Sequence, residues 1–169
     1  MYTIGHSTRT IEEFIELLHM HQIQQLIDIR TIPKSRHNPQ FAQVALEASL
    51  KNAGIYYIYL KELGGLRSSS KNSINTGWRN TSFRNYADYM QTDEFARGID
   101  TLLEFSHQKT SVIMCAEAVP WRCHRSLVGD ALTVRNVKVL DIISKTSVIE
   151  HQLTSFAVVD GTTIAYPGE

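Results

Sequence analysis

The sequence predicts an α/β protein: a single-domain, Rossmann-like three-layer sandwich with a mainly parallel sheet and a C-terminal hairpin. Three observations predict it. Short runs of β-branched and aromatic residues alternate along the chain with segments whose apolar residues recur at helical spacing. Near the end, Asp160-Gly161 forms a turn signal inside the extended stretch Phe156–Tyr166. The chain has 169 residues, of which 43% are apolar, enough to bury one core; no repeat or linker composition divides it, so one domain is expected over residues 1–169.

The elements follow in order. Met1-Tyr2-Thr3-Ile4-Gly5 reads as a short buried strand, and Thr10 with Glu13 three residues later is a capping box opening a helix with Ile11, Phe14, Ile15 and Leu18 on one face. Leu26–Ile29 is the second strand. A loop with Pro33 and Pro39 then leads into a helix from about Phe41 to Ala53, which Gly54 ends. Ile55–Leu60 is the third strand, followed by a long polar segment, Lys61–Thr81, of the kind that is functional or mobile. Phe83, Tyr86, Ala87 and Met90, and then Phe95, Ile99, Leu102 and Leu103, carry two helices. The fourth strand, Ser111–Met114, ends at Cys115; a helix starting near Cys123 and a strand Val137–Leu140 complete the alternation.

Right-handed crossovers make 3-2-1-4-5 the expected strand order, with its switch point between the first and fourth strands. Ligands of such sheets sit outside the carboxyl ends of the strands at that point. Gly5-His6-Ser7 and Cys115-Ala116-Glu117 are therefore expected at one rim, with Asp28 and Arg30 beside them on one face of their strand end.

Seventeen Lys and Arg balance seventeen Asp and Glu, which excludes a globally basic nucleic-acid coat and an acidic disordered segment. Counted locally, the charge is uneven. Between Arg30 and Arg84 nine cations face only Glu47 and Glu62, a surplus of seven that the remainder of the chain cancels. That basic third is expected to form a face beside the rim and to meet an anion. No apolar run reaches the roughly 20 residues of a membrane helix, and no leader pattern precedes the first strand, so a cytoplasmic protein without a membrane partner is expected. The two cysteines, close together and late, are poor material for a disulfide framework and are read as reduced thiols.

Cys115 to Arg125 is the densest chemistry in the chain. It leaves a buried strand and opens a helix, whose unpaired N–H groups favour anions and lower a nearby thiol pKa. Cys115 and Cys123 are candidate nucleophiles, His6, Glu117 and His124 candidate acids or bases, and Ser7, Asp28, Arg30, Arg122 and Arg125 candidate ligand-binding groups. The alternative for each is structural: small buried thiols, a helix-end histidine, a cap, an internal ion pair. Six residues separate Cys115 from Arg122, and they include Pro120 and Trp121, which fits a phosphate-cradling thiolate loop poorly. Cys115, Glu117, Cys123 and His124 are ligand types for a metal, yet their spacing matches no zinc signature and no metal site is expected. Gly5-His6-Ser7 lacks a dinucleotide fingerprint, and the sequence assigns no cofactor.

Two function classes remain. The first is an enzyme binding a small phosphate- or carboxylate-bearing ligand at the carboxyl edge of the sheet. The second is a non-catalytic nucleic-acid or nucleotide-binding module using Arg67, Lys71, Trp78 and Arg79, where basic and aromatic residues interleave.

Thr3-Ile4-Gly5-His6-Ser7, Asp28-Ile29-Arg30 with Pro33 and Ser35, Leu63-Gly64-Gly65, Tyr86-Ala87-Asp88-Tyr89-Met90, and Met114-Cys115-Ala116-Glu117 with Cys123-His124-Arg125 occur in an order that resembles the domain of unknown function 488 family (DUF488). The resemblance runs from Thr3 to about Ile143 and leaves 144–169 as a C-terminal extension. It implies an α/β fold without an agreed substrate, and it marks His6, Ser7, Asp28, Arg30, Glu117, Cys123, His124 and Arg125 as motif positions.

Overall fold

A computed structural model describes Met1–Glu169. Six strands form one sheet: β1 (Tyr2–Gly5), β2 (Gln25–Asp28), β3 (Tyr56–Tyr59), β4 (Ser111–Cys115), β5 (Leu140–Ser144) and β6 (Ser147–Glu150). The first five are mutually parallel, and β6 returns antiparallel to β5. Helices α1 (Ile11–Met20) and α2 (Gln43–Asn52) belong to one side of the sheet. Helices α3 (Thr81–Tyr89), α4 (Asp93–Gln108) and α5 (Arg125–Thr133) belong to the other. The three-layer α/β sandwich is thus present, and so is the C-terminal hairpin, β7 (Val158–Asp160) with β8 (Thr163–Ala165), turning at Gly161 with φ +61°.

The layers follow from the period of two along each strand. Leu26, Val112 and Met114 face Phe14, Leu18, Leu46 and Leu50 of the first layer, whereas Ile27, Ile113 and Cys115 face Tyr86, Ile99, Leu102 and Leu127 of the second. The capping box at α1 is complete: the Thr10 hydroxyl accepts from the Glu13 N–H, and the Glu13 carboxylate accepts from the Thr10 N–H.

The strand order corrects the expectation. It is β3-β2-β4-β1-β5-β6, with β4 between β2 and β1. Both orders satisfy the handedness rule, because each lets α1 and α2 cover crossovers in one direction and the later helices cover the return on the opposite face. In either order β4 is an interior strand, and all five of its residues are buried. Cys115 is consequently flanked on both sides, by Gly5 in register on β1 and by the end of β2, where Asp28 pairs with Met114.

Two boundaries also move. The last parallel strand begins at Leu140 rather than Val137, in register with Tyr2, and α5 begins at Arg125 rather than Cys123. Between β4 and α5 the chain makes a short 3-10 turn, Pro120–Arg122, that carries it back over the strand end.

Candidate functional site

Cys115, Cys123 and His124 converge at the carboxyl end of β4. The His124 Nδ1 lies 3.8 Å from the Cys115 Sγ and 3.7 Å from the Cys123 Sγ. Its other nitrogen, Nε2, is 3.1 Å from the Ile29 carbonyl, which can only accept, so Nε2 donates to it and Nδ1 faces the sulfurs. Both thiols are buried and unbridged. The Cys123 thiol, donating to Cys115, and then His124 hold Cys115 well below the ordinary thiol pKa; Cys123, which keeps the proton and is buried, is pushed well above it. The sequence named all three residues but offered no spacing signature. Cys123 reaches Cys115 because the Pro120–Arg122 turn folds the loop back, and His124 is oriented by a carbonyl from β2's end.

A cavity of about 430 Å³ opens above this cluster. Cys115, Cys123 and His124 line its floor, with Lys34, Glu117 and Arg122 exposed around its mouth. Lys34 and Arg122 have no carboxylate partner within 4 Å. Gly65 and Phe83 also line the wall. Gly65 is needed there: a Cβ at that position would sit 2.5 Å from the His124 Nδ1. Sequence patterns alone do not mark Lys34, Gly65 and Phe83 as cavity residues, although Gly65 stands in a motif shared with the resembled family and Lys34 in the basic third. A depression of about 470 Å³ at the opposite edge, between Met1, Gln24 and the Ser106–Ser111 turn, brings no comparable set together.

Asp28 and Arg30 form a buried, bidentate pair. The Arg30 Nε and Nη2 donate to the two carboxylate oxygens at 2.9 and 2.6 Å, and Tyr57 donates its hydroxyl to Asp28 at 2.7 Å. Burial opposes the Arg30 charge and Asp28 outweighs it, so its pKa is raised. The remaining Arg30 nitrogen donates to the Phe41 carbonyl and lies 3.5 Å from the His6 Nε2. Arg30 reaches the cavity wall, but Asp28 is fully buried behind it. His6 is 3% exposed and stacks on Phe41, with ring centroids 4.3 Å apart. Its Nδ1 donates to the Ser7 carbonyl, and burial lowers its pKa, so it is a neutral ring that orients Arg30 and does not line the cavity. Ser7 likewise stays off the cavity, with φ at +51°.

Arg125, read from sequence as an anion partner, is 1% exposed and spent internally. It donates to the Thr3 hydroxyl and to the carbonyls of Glu117 and Ala118, tying the loop after β4 down onto β1. Gly5 belongs to the same contact, because any Cβ there would collide with the Glu117 carbonyl. The loop continues the pairing: the N–H groups of His6 and Ser7 donate to Cys115 and Ala116 at 2.9 and 2.8 Å.

The residues of the nucleic-acid reading divide. Arg67 lies 3.4 Å above the Tyr89 ring and donates to the carbonyls of Gly64 and Glu62. Trp78 is half-buried among Phe83, Phe156 and Tyr166. Only Lys71 and Arg79 are exposed and free of such ties. Nor is the basic third one face: Lys51 sits on α2 in one helical layer, whereas Lys71 and Arg79 lead into α3 of the other.

Comparison with known proteins returns one match. Residues 10–132, well over half of the chain, match the family described as Domain of unknown function DUF488. No curated protein and no solved structure shows significant similarity.

Proposed function

Because the chain belongs to the family Domain of unknown function DUF488, whose description assigns no reaction, we propose a function from the site itself: an enzyme acting on a small phosphate- or carboxylate-bearing ligand. The observation that carries this reading is a cavity at the carboxyl edge of a parallel sheet whose floor holds two thiols and an imidazole nitrogen, and whose mouth holds two unpaired cations. Lys34 and Arg122 hold the anionic end of the ligand, and Cys115, Cys123 and His124 supply the reacting centre. Glu117, exposed beside them, serves as acid or base. Arg30 shapes the wall, while Asp28, His6 and Arg125 position their neighbours.

The test is calorimetry with a panel of mononucleotides, sugar phosphates and di- and tricarboxylates. At least one member is expected to bind, and the double charge reversal of Lys34→Glu and Arg122→Glu, two exposed positions, to weaken it by roughly tenfold or more. Binding by no member, or equal binding to the double variant, would overturn the reading.

A further inference from the structure

We propose that Cys115, Cys123 and His124 hold one thiophilic divalent metal ion, zinc being the first choice, with three protein ligands and a fourth position open to the cavity. The inference deepens the reading above by naming what the floor of the cavity holds, and its geometry stands apart from whether an organic anion binds.

The three donor atoms all lie within 4.8 Å of one another. Zinc bonds of about 2.3 Å to sulfur and about 2.0–2.1 Å to nitrogen, set at the tetrahedral angle, place sulfur and nitrogen about 3.6 Å apart. The observed separations are 3.7 and 3.8 Å. An ion seats with both sulfur–nitrogen separations nearly unchanged, while the two sulfurs, within 4.8 Å of each other, close toward the roughly 3.8 Å that two such bonds span.

The atoms around the donors match what a metal requires. A ligating histidine usually donates its other N–H to a carbonyl or carboxylate, which fixes ring and tautomer. His124 does so through Nε2 to Ile29. The Cys123 sulfur accepts from the Arg125 N–H at 3.5 Å. Simple thiol–imidazole hydrogen bonding leaves the arrangement half-explained, because Nδ1 can make one such bond and two sulfurs converge on it. A metal ion satisfies all three donors at once. Two thiolates with a divalent cation also sum to zero charge, so the buried floor holds no uncompensated ion.

The open position follows from the same geometry. All three residues line the cavity, so a water or a ligand oxygen reaches the fourth site, as in catalytic and unlike closed four-ligand structural zinc. Gly65 leaves that approach clear, since a methyl group there would press on the ligating nitrogen.

The experiment loads cobalt(II), then zinc, into chelator-treated, reduced full-length protein. One equivalent is expected, with thiolate-to-cobalt charge-transfer bands in the near ultraviolet and the intense visible bands of a tetrahedral site. Cys115→Ser and Cys123→Ser should each lower the charge-transfer intensity to about half, in proportion to thiolates lost. Gly65→Ala keeps every donor atom and should weaken zinc at least tenfold, with circular dichroism confirming that it folds. Absence of charge-transfer bands, or a stoichiometry and spectrum unchanged in the two serine variants, would overturn the site. Calorimetry with the anion panel, run on metal-free and metal-loaded protein, separates the two readings. Metal uptake without anion binding removes only the proposed substrate class; anion binding without metal uptake removes only the metal.

Discussion

Replacing Asp28 by Asn would leave the Arg30 guanidinium, 5% exposed, without its counter-charge. A buried pair broken on one side costs about 3–5 kcal/mol, since the surviving charge has neither water nor partner. Denaturant unfolding of Asp28→Asn is expected to show a loss of that size, and pairing it with Arg30→Met to recover much of it. Full stability in the single variant would mean that the Phe41 carbonyl and Tyr57 suffice. Asp28 and Arg30 were legible as a pair in the sequence because two positions along a strand share a face. Arg125 was not legible in its true role: an arginine at a helix start looks the same whether it meets a ligand or the carbonyls of Glu117 and Ala118. Nor was the meeting of Cys115 with Cys123 and His124, because it depends on a 3-10 turn and a carbonyl from a neighbouring strand rather than on spacing.

At the scale of elements, β5 shows why a boundary was misplaced. Asp141 interrupts its apolar run, yet the side chain points inward, accepting from the Thr3 hydroxyl and facing His151. Polar residues buried by pairing hide strands from hydropathy patterns, and the short, largely exposed β6 gives little pattern of its own. His151, just after β6, is held by Asp130 of α5 at 2.8 Å and by Asp141 of β5 at 3.7 Å, while Tyr166 donates to the other Asp130 oxygen. Burial opposes its charge, but the two carboxylates outweigh it and raise its pKa to about 9. A raised folded-state pKa means the folded protein holds the proton more tightly than the unfolded chain. This contribution to stability is therefore full below about 6.5, the unfolded histidine value, and is lost as pH rises through about 9. Thermal melts are expected to fall between pH 7 and 10. His151→Gln should lower Tm at pH 7 and flatten that fall; a wild-type-like slope in the variant would assign the pH dependence to other groups.

For the whole molecule, local alternation of strand and helix predicts the sandwich but leaves the slot of β4 open, because handedness permits it on either side of β1. The choice matters to the site. Between β2 and β1, Cys115 collects neighbours from both, Ile29 behind His124 on one side and Gly5-His6 on the other. Folding also redistributes the charge that looked concentrated in the chain. Of the nine cations from Arg30 to Arg84, Arg30 is committed to Asp28, Arg67 to Tyr89 and nearby carbonyls, and Arg84 to the Trp78 carbonyl. Those left exposed lie on both helical layers, with Lys34 at the cavity. A polyanion groove engaging six phosphates of a single strand would give a log–log salt slope near −4, at roughly −0.7 per contact. Of the four residues of the nucleic-acid reading only Lys71 and Arg79 are free, and two such contacts support a slope no steeper than about −1.4 by the same rule. Fluorescence anisotropy with a single-stranded oligonucleotide is accordingly expected to show weak binding of that shallow slope. Lys71→Ala with Arg79→Ala should abolish it and leave calorimetric binding of the small anions unchanged, because neither residue reaches the cavity. A steep slope that collapses in this double variant would instead make the long loop the binding surface and displace the small-anion reading.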